Sequence, residues 1–329
     1  MSAELVDRIR LGWVVLAESG ALAEGDVTTH PLQEDALLGL TAAREPCLLI
    51  PVAEAGPEER EGGVAVFHRE LDTDEGRRTF VVVSCGEPPL RDVFDHFLAA
   101  LVEAWERAPE RHPAATALVV LARWRALFRP SRDILGPGEL ASLLAELMVL
   151  AEILERDPAR SVGVWVGPTG ARHDFRRGAE AIEVKSTLSH TAREAGINGI
   201  DQLEEPAGGS LTLAWYRLER AEDGPLSVFG LVDRLLAAGA PAGELYALLE
   251  QAGSPPALRE AHDAVRFDLR ECRFFAVEED FPRIVPQSFP AGVPEGVDDL
   301  RYRIALPAPG SDLPADEIEA LFERMAGTA

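Results

Sequence analysis

Through the first third of the chain, short apolar runs are separated by Gly, Pro and acidic residues. "CLLIPV" (47–52), "GVAVFH" (63–68) and "TFVVVS" (79–84) are rich in β-branched and aliphatic residues, a pattern that predicts three strands. "LRDVFDHFLAALVEAWERA" (90–108) then repeats apolar residues at helical spacing, and "ATALVVLARWRALF" (115–128) predicts a second helix. Together they predict an α/β lobe over residues 1–130 that carries no chemical motif. The turn-forming "RPSRDILGPGE" (129–139) closes it.

The middle of the chain changes rhythm. Residues 138–155, "GELASLLAELMVLAEILE", predict a helix with an apolar stripe on Leu140, Leu143, Leu144, Leu147, Ala151 and Leu154. Glu146 falls at the edge of that stripe, among Val149, Leu150 and Ile153, where an ionised carboxylate needs a partner. Three extended pieces follow, "SVGVWVG" (161–167), "RHDFR" (172–176) and "AIEVKS" (181–186), joined by turn signals. "INGIDQLEEP" (197–206) predicts a strand end running into a short helix, and "SLTLAWYRLE" (210–219) a further strand. Residues 131–225 thus form a helix, three strands, a helix and a strand. The remainder, 226–329, predicts helices near 227–238, 242–252 and 255–263, strands at "CRFFAV" and "RYRIAL", and a closing helix at "DEIEALFERM".

Composition narrows the function classes. With 329 residues, two or three lobes are expected rather than one core. Acidic residues outnumber basic ones by 56 to 32, which excludes a broad basic footprint able to hold nucleic acid unaided. Between Arg160 and Arg220 the balance is even, 8 basic to 8 acidic, so a polyanion meets least repulsion there. The 3 cysteines, Cys47, Cys85 and Cys272, are widely spaced and form no ligand pair, which fits a reducing compartment. "LGWVVLA" (11–17) is preceded by acidic residues, follows no basic n-region and is too short to cross a bilayer. The expectation is a cytoplasmic protein with no membrane association.

Of the 32 basic residues, Lys185 alone is lysine. On a strand, side chains alternate between faces, so Ile182 and Val184 point one way and Glu183 and Lys185 the other. Asp174, at the end of the preceding extended piece, can lie beside Glu183 across an antiparallel pair. Two carboxylates and an ammonium then converge, a set suited to metal-assisted phosphodiester hydrolysis. Carboxylate oxygens are the hard ligands that Mg²⁺ prefers, with Mn²⁺ as a substitute, and open positions remain for water and a phosphate oxygen. The lysine can orient the attacking water or neutralise developing charge. Glu146 can add a ligand, directly or through water.

These residues resemble the PD-(D/E)XK nuclease superfamily: Glu146 on the first helix, Asp174 as the motif aspartate, and Glu183-Val184-Lys185 as the ExK. The longer pattern, Gly167 to Phe175 ("GPTGARHDF"), "EVK" and Asp201-Gln202-Leu203, is similar to a family of PD-(D/E)XK motif proteins encoded in bacterial restriction and phage-defence gene clusters. The resemblance implies an α/β, restriction-endonuclease-like core with a mixed sheet, between the N-terminal α/β lobe and a largely helical C-terminal extension. It further implies a metal-dependent DNA endonuclease whose Mg²⁺ is held by Asp174, Glu183 and the Val184 backbone carbonyl. Gln202 resembles a glutamine that meets metal-bound water or phosphate in some branches. His173 stands where the superfamily's name has proline, and is either a structural histidine or a contact to phosphate. Arg176, Arg177, Ser186, Thr187 and Arg193 are further candidates for phosphate contacts.

The acidic composition adds an expectation of partner proteins that help deliver DNA within a restriction or defence complex, with homo-oligomerisation open. The rival reading is a catalytically inactive nuclease-fold subunit used for complex assembly or DNA binding. No GK[ST] follows "GVWVGPTG", and no HExxH is present, so a phosphate-binding loop and a zinc hydrolase are not supported.

Overall fold

A computed structural model describes residues 2–18, 27–33, 35–59, 63–73, 76–124, 134–157, 159–294, 297, 300–308 and 310–328. Contacts divide the chain into two units, Met1–Arg132 with Pro255–Leu258, and Asp133–Ser254 with Arg259–Ala329. The turn expected at 129–139 and the end of the helix expected over 115–128 fall partly outside the described residues.

In the first unit, helix α1 (Ser2–Ala17) precedes five antiparallel strands, β1 (Val27–Gln33), β2 (Ala36–Thr41), β3 (Pro46–Val52), β4 (Val64–Thr73) and β5 (Gly76–Cys85). Their order in the sheet is β1-β2-β3-β5-β4. Helices α2 (Arg91–Glu106) and α3 (Pro113–Trp124) follow. The apolar runs around Cys47, Val66 and Val82 become β3, β4 and β5. Strands β1 and β2 escape the apolar pattern because Pro31, Gly39 and polar residues interrupt it. "LGWVVLA" belongs to amphipathic α1, whose buried Trp13 donates its indole N–H to the buried Asp95 at 2.7 Å. No helix among the described residues is long and apolar enough to cross a membrane.

The second unit is built around α4 (Pro137–Arg156) and a four-stranded mixed sheet in the order β10-β9-β7-β6. Its strands are β6 (Phe175–Arg177), β7 (Glu180–Thr187), β9 (Ser210–Arg220) and β10 (Phe267–Ala276). β6 and β7 are antiparallel, with Phe175 opposite Ile182. β7 and β9 are parallel, with Lys185 opposite Trp215. A separate pair, β8 (Glu194–Asn198) with β11 (Arg301–Ala305), supplies Ala195, Ile197 and Ile304 to a buried cluster with Ala181, Leu211, Leu213, Trp215 and Phe275. Helices α5 (Val228–Ala237), α6 (Ala242–Gln251), α7 (Arg259–Asp263) and α8 (Ala315–Ala326) complete the unit.

Three sequence expectations are corrected here. "SVGVWVG" is not a strand but two single 3₁₀ turns, Val162–Val164 and Gly167–Thr169, with one isolated bridge from Trp165 to Phe175. The Ser161 hydroxyl and Pro168 favour turns there, and the Val166 and Gly167 N–H groups both go to the Asp174 carbonyl at 2.9 Å. No helix follows "INGI": residues 201–204 form a turn after Gly199, which sits at φ 129°. Helix α4 is buried on most of its circumference rather than along one stripe, because α5, α8 and β7 all pack against it.

Candidate active site

Strand β7 places the candidate residues. Ala181, Glu183 and Lys185 lie in register with Leu211, Leu213 and Trp215 of β9, so the acid and the amine share the face covered by the β8–β11 pair. That face is closed: Glu183 is 1% exposed. Across the sheet the β6–β7 register carries Asp174 to the level of Glu183, and its Oδ2 accepts the Val184 N–H at 2.7 Å. On α4, the Ser142 hydroxyl meets that of Ser186 at 3.1 Å. One turn later on α4 stands Glu146, whose Oε2 accepts the Trp165 indole N–H at 2.7 Å.

Lys185 is the hub. Its ammonium lies 2.6 Å from Glu183 Oε1 and donates to Gln202 Oε1 at 3.1 Å. Gln202 Oε1 also accepts the Asn198 N–H at 2.8 Å, which ties the turn after β8 to the strand. Burial works to lower the Lys185 pKa, but Glu183 and Asp174 overcome it and hold it above its ordinary value. The carboxylates are pushed the other way. Glu183 rises to about 8, chiefly through burial and then through Asp174. Glu146 also rises to about 8, by burial and by Asp174, against the Trp165 hydrogen bond. Asp174 is raised by burial, opposed by Lys185 and the Val184 N–H. One ammonium cannot compensate three desolvated carboxylates.

Among the described residues Glu183 Oε2 is buried without a hydrogen-bond partner. A buried anionic oxygen without a donor is costly, and a hard divalent cation is the group that would satisfy it. The oxygen-only donor set fits Mg²⁺ or Mn²⁺ better than a metal that prefers thiolate or imidazole. No group of three His, Cys, Asp or Glu side chains among the described residues is assembled as a finished metal cage. Lys185, Trp165 and the Val184 N–H each draw one carboxylate toward themselves.

The other candidates spread out. His173 is 2% exposed, and its Nε2 lies 3.1 Å from the Glu204 carbonyl. A carbonyl only accepts, so Nε2 carries the proton and the buried Nδ1 is left as a bare lone pair. Burial, with Arg172 next, lowers its pKa to about 4. Enclosed, and with its N–H committed to the Glu204 carbonyl, the ring fits the structural reading of His173 better than a phosphate contact. Arg177 pairs with Asp157 at 3.6 Å and Arg193 with Glu271 at 3.2 Å. The Thr187 hydroxyl accepts the Ser189 N–H at 3.1 Å. Arg176 is exposed on β6 and donates to the Gly178 carbonyl at 3.3 Å.

Two neighbours of the cluster were missed in the sequence. Trp165 stood inside the extended piece expected over 161–167 and was not singled out, although a buried indole N–H demands an acceptor. Gly167 stood at the end of that piece with no role assigned to it. A Cβ there would lie 2.8 Å from Asp174 Oδ1 and 3.1 Å from its Cα, so only glycine lets this backbone approach the aspartate so closely. Gly167→Ala is expected to displace Asp174 and lower unfolding stability by about 1–3 kcal/mol. Thermal melts of the two proteins check this, and an unchanged melting midpoint would refute it.

No curated protein and no solved structure matches the chain. Residues 18–307 match the model of a family described as "Putative PD-(D/E)XK family member, (DUF4420)". The match takes in both units and every residue of the carboxylate–lysine cluster, so the chain belongs to this PD-(D/E)XK family, and its mixed α/β architecture is consistent with that fold.

Proposed function

We propose that this protein is a divalent-metal-dependent deoxyribonuclease that hydrolyses phosphodiester bonds in the bacterial cytoplasm as part of a restriction or anti-phage system. The observation that carries the reading is the convergence of Asp174, Glu183 and Glu146 on a single lysine, with Glu183 Oε2 buried and lacking a donor. Structural ion pairs balance their charges, whereas this site is overloaded with carboxylate.

Asp174, Glu183, the Val184 carbonyl and Glu146 would hold Mg²⁺ or Mn²⁺. Bound there, the ion would neutralise charge on the scissile phosphate and make water a better nucleophile. Lys185, fixed by Glu183 and Gln202, presents its ammonium to the water or to the charge growing on the phosphate. Gln202 spends Oε1 on Lys185 and Asn198, which turns its amide nitrogen to the role of donor toward phosphate oxygen. Arg176 is an exposed phosphate-contact candidate, open to the backbone of DNA.

A net charge of −24 favours a second reading, a nuclease-fold subunit that assembles with DNA-bound partners without cutting. The test is incubation of plasmid and single-stranded DNA with purified protein, with and without its genomic neighbours, in Mg²⁺ or Mn²⁺. Metal-dependent cleavage that Asp174→Ala abolishes is expected. Absence of cleavage of any DNA form, together with phage protection that survives Lys185→Ala, would overturn the enzyme in favour of the subunit. A methyltransferase, helicase or ATPase encoded beside this gene is expected on either defence reading, and a metabolic operon would count against both.

A further inference from the structure

Trp165 lies outside the ExK motif and touches the cluster at one atom. It is 1% exposed, on the short segment between the two 3₁₀ turns, and its only polar side-chain atom donates to Glu146 Oε2 at 2.7 Å. The next two residues, Val166 and Gly167, donate their backbone N–H groups to the Asp174 carbonyl. Three consecutive residues thus grip the helix carboxylate and the strand aspartate from one rigid turn. We propose that Trp165 is a positioning residue for metal binding: its indole N–H fixes the rotamer of Glu146, so that the remaining carboxylate oxygen is aimed at the ion shared with Asp174 and Glu183.

The physical argument is that Glu146 has few alternatives. It stands on α4 among Leu143, Leu147 and Leu150, all buried, and a glutamate side chain has enough rotamers to leave the site if nothing holds it. An N–H donor to one oxygen removes that freedom and leaves the carboxylate monodentate toward a cation. Hydrogen bonds to ligating carboxylates orient the ligand, and their loss commonly weakens metal binding by about 10–100-fold. The bland alternative is that Glu146 exists to satisfy a core tryptophan. The two differ in what the metal feels.

This inference rests on the proposed metal site, and the experiment separates the two. Mn²⁺ binding to the full chain is measured by titration calorimetry for wild type, Trp165→Phe, Glu146→Gln and the double variant. Wild type is expected to bind, Trp165→Phe to bind about tenfold more weakly, and the double variant to bind no more weakly than Glu146→Gln. Because Trp165→Phe leaves a small void, benzothienylalanine at position 165, which keeps the indole shape and replaces N–H by sulfur, serves as the isosteric variant. It is expected to show the same loss while a thermal melt shows the protein still folded. No Mn²⁺ binding by wild type overturns the metal site itself. Normal binding by the benzothienylalanine protein, or losses that add in the double variant, overturns the role of Trp165 alone.

Discussion

Lys185→Arg is expected to abolish DNA cleavage while the protein stays folded. The exchange keeps the charge, and in a chain that otherwise uses arginine at every basic position it would be silent on any solvated face. At this site it is not. The ammonium sits 2.6 Å from Glu183 Oε1 and 3.1 Å from Gln202 Oε1, with its side chain 14% exposed and Trp215 beside it in the sheet register. A guanidinium is longer and planar, and must push aside Glu183 or Gln202 to fit. Either shift moves a group whose position the site depends on, and a preorganised donor that is misplaced by such a change costs about 100-fold or more in rate. Overpacking should lower stability by about 1–3 kcal/mol, a loss visible in a thermal melt but short of unfolding. Plasmid cleavage in Mn²⁺, read beside the melt, decides it. Cleavage at a rate near wild type would mean that the lone lysine is there for a reason other than the geometry of its ammonium.

That lysine also marks how far the sequence could be read. Strand alternation put Glu183 and Lys185 on one face, and the nine-residue spacing put Asp174 within reach of them; both follow from local geometry that a strand cannot avoid. What covers that face was not legible. Ile304 and Tyr302 arrive from more than a hundred residues downstream, and although "RYRIAL" reads as a strand, no local pattern says that it pairs with β8. The same limit explains Trp165, whose acceptor lies on α4, and "SVGVWVG", whose apolar run promised a strand while its N–H groups turned to the Asp174 carbonyl instead. Helix α4 misled in a milder way: its stripe was present, but three elements from different parts of the chain enclose it. Periodicity reports one buried face; it cannot count the partners.

Metal-free protein is expected to lose stability as pH rises from about 6.5 to 8, and Glu183→Gln is expected to restore it. The unfolded chain releases glutamate protons near the ordinary value of about 4.3, whereas in the folded protein Glu183 and Glu146 are each pushed up to about 8. Between those values the folded state keeps protons that the unfolded chain has lost. Stability therefore falls with rising pH, by up to about 1.4 kcal/mol per pH unit for each proton so retained, and levels off above the folded value. His173, lowered to about 4, acts with the opposite sign, but only below its unfolded value of about 6.5, so the upper window belongs to the carboxylates. Glutamine at 183 keeps the shape, removes one of the three competing charges, and leaves Lys185 to Asp174 and Glu146. A gain on the order of 2 kcal/mol at pH ~8 and a flatter slope are expected. Mn²⁺ should raise the wild-type midpoint at that pH by mass action and raise the variant's less. Melts of both proteins across the window, with chelator and with Mn²⁺, settle the matter: a wild-type midpoint that climbs toward pH 8, or a glutamine variant less stable than wild type, would mean that Glu183 is a paired structural acid and that the cluster is not strained for a cation.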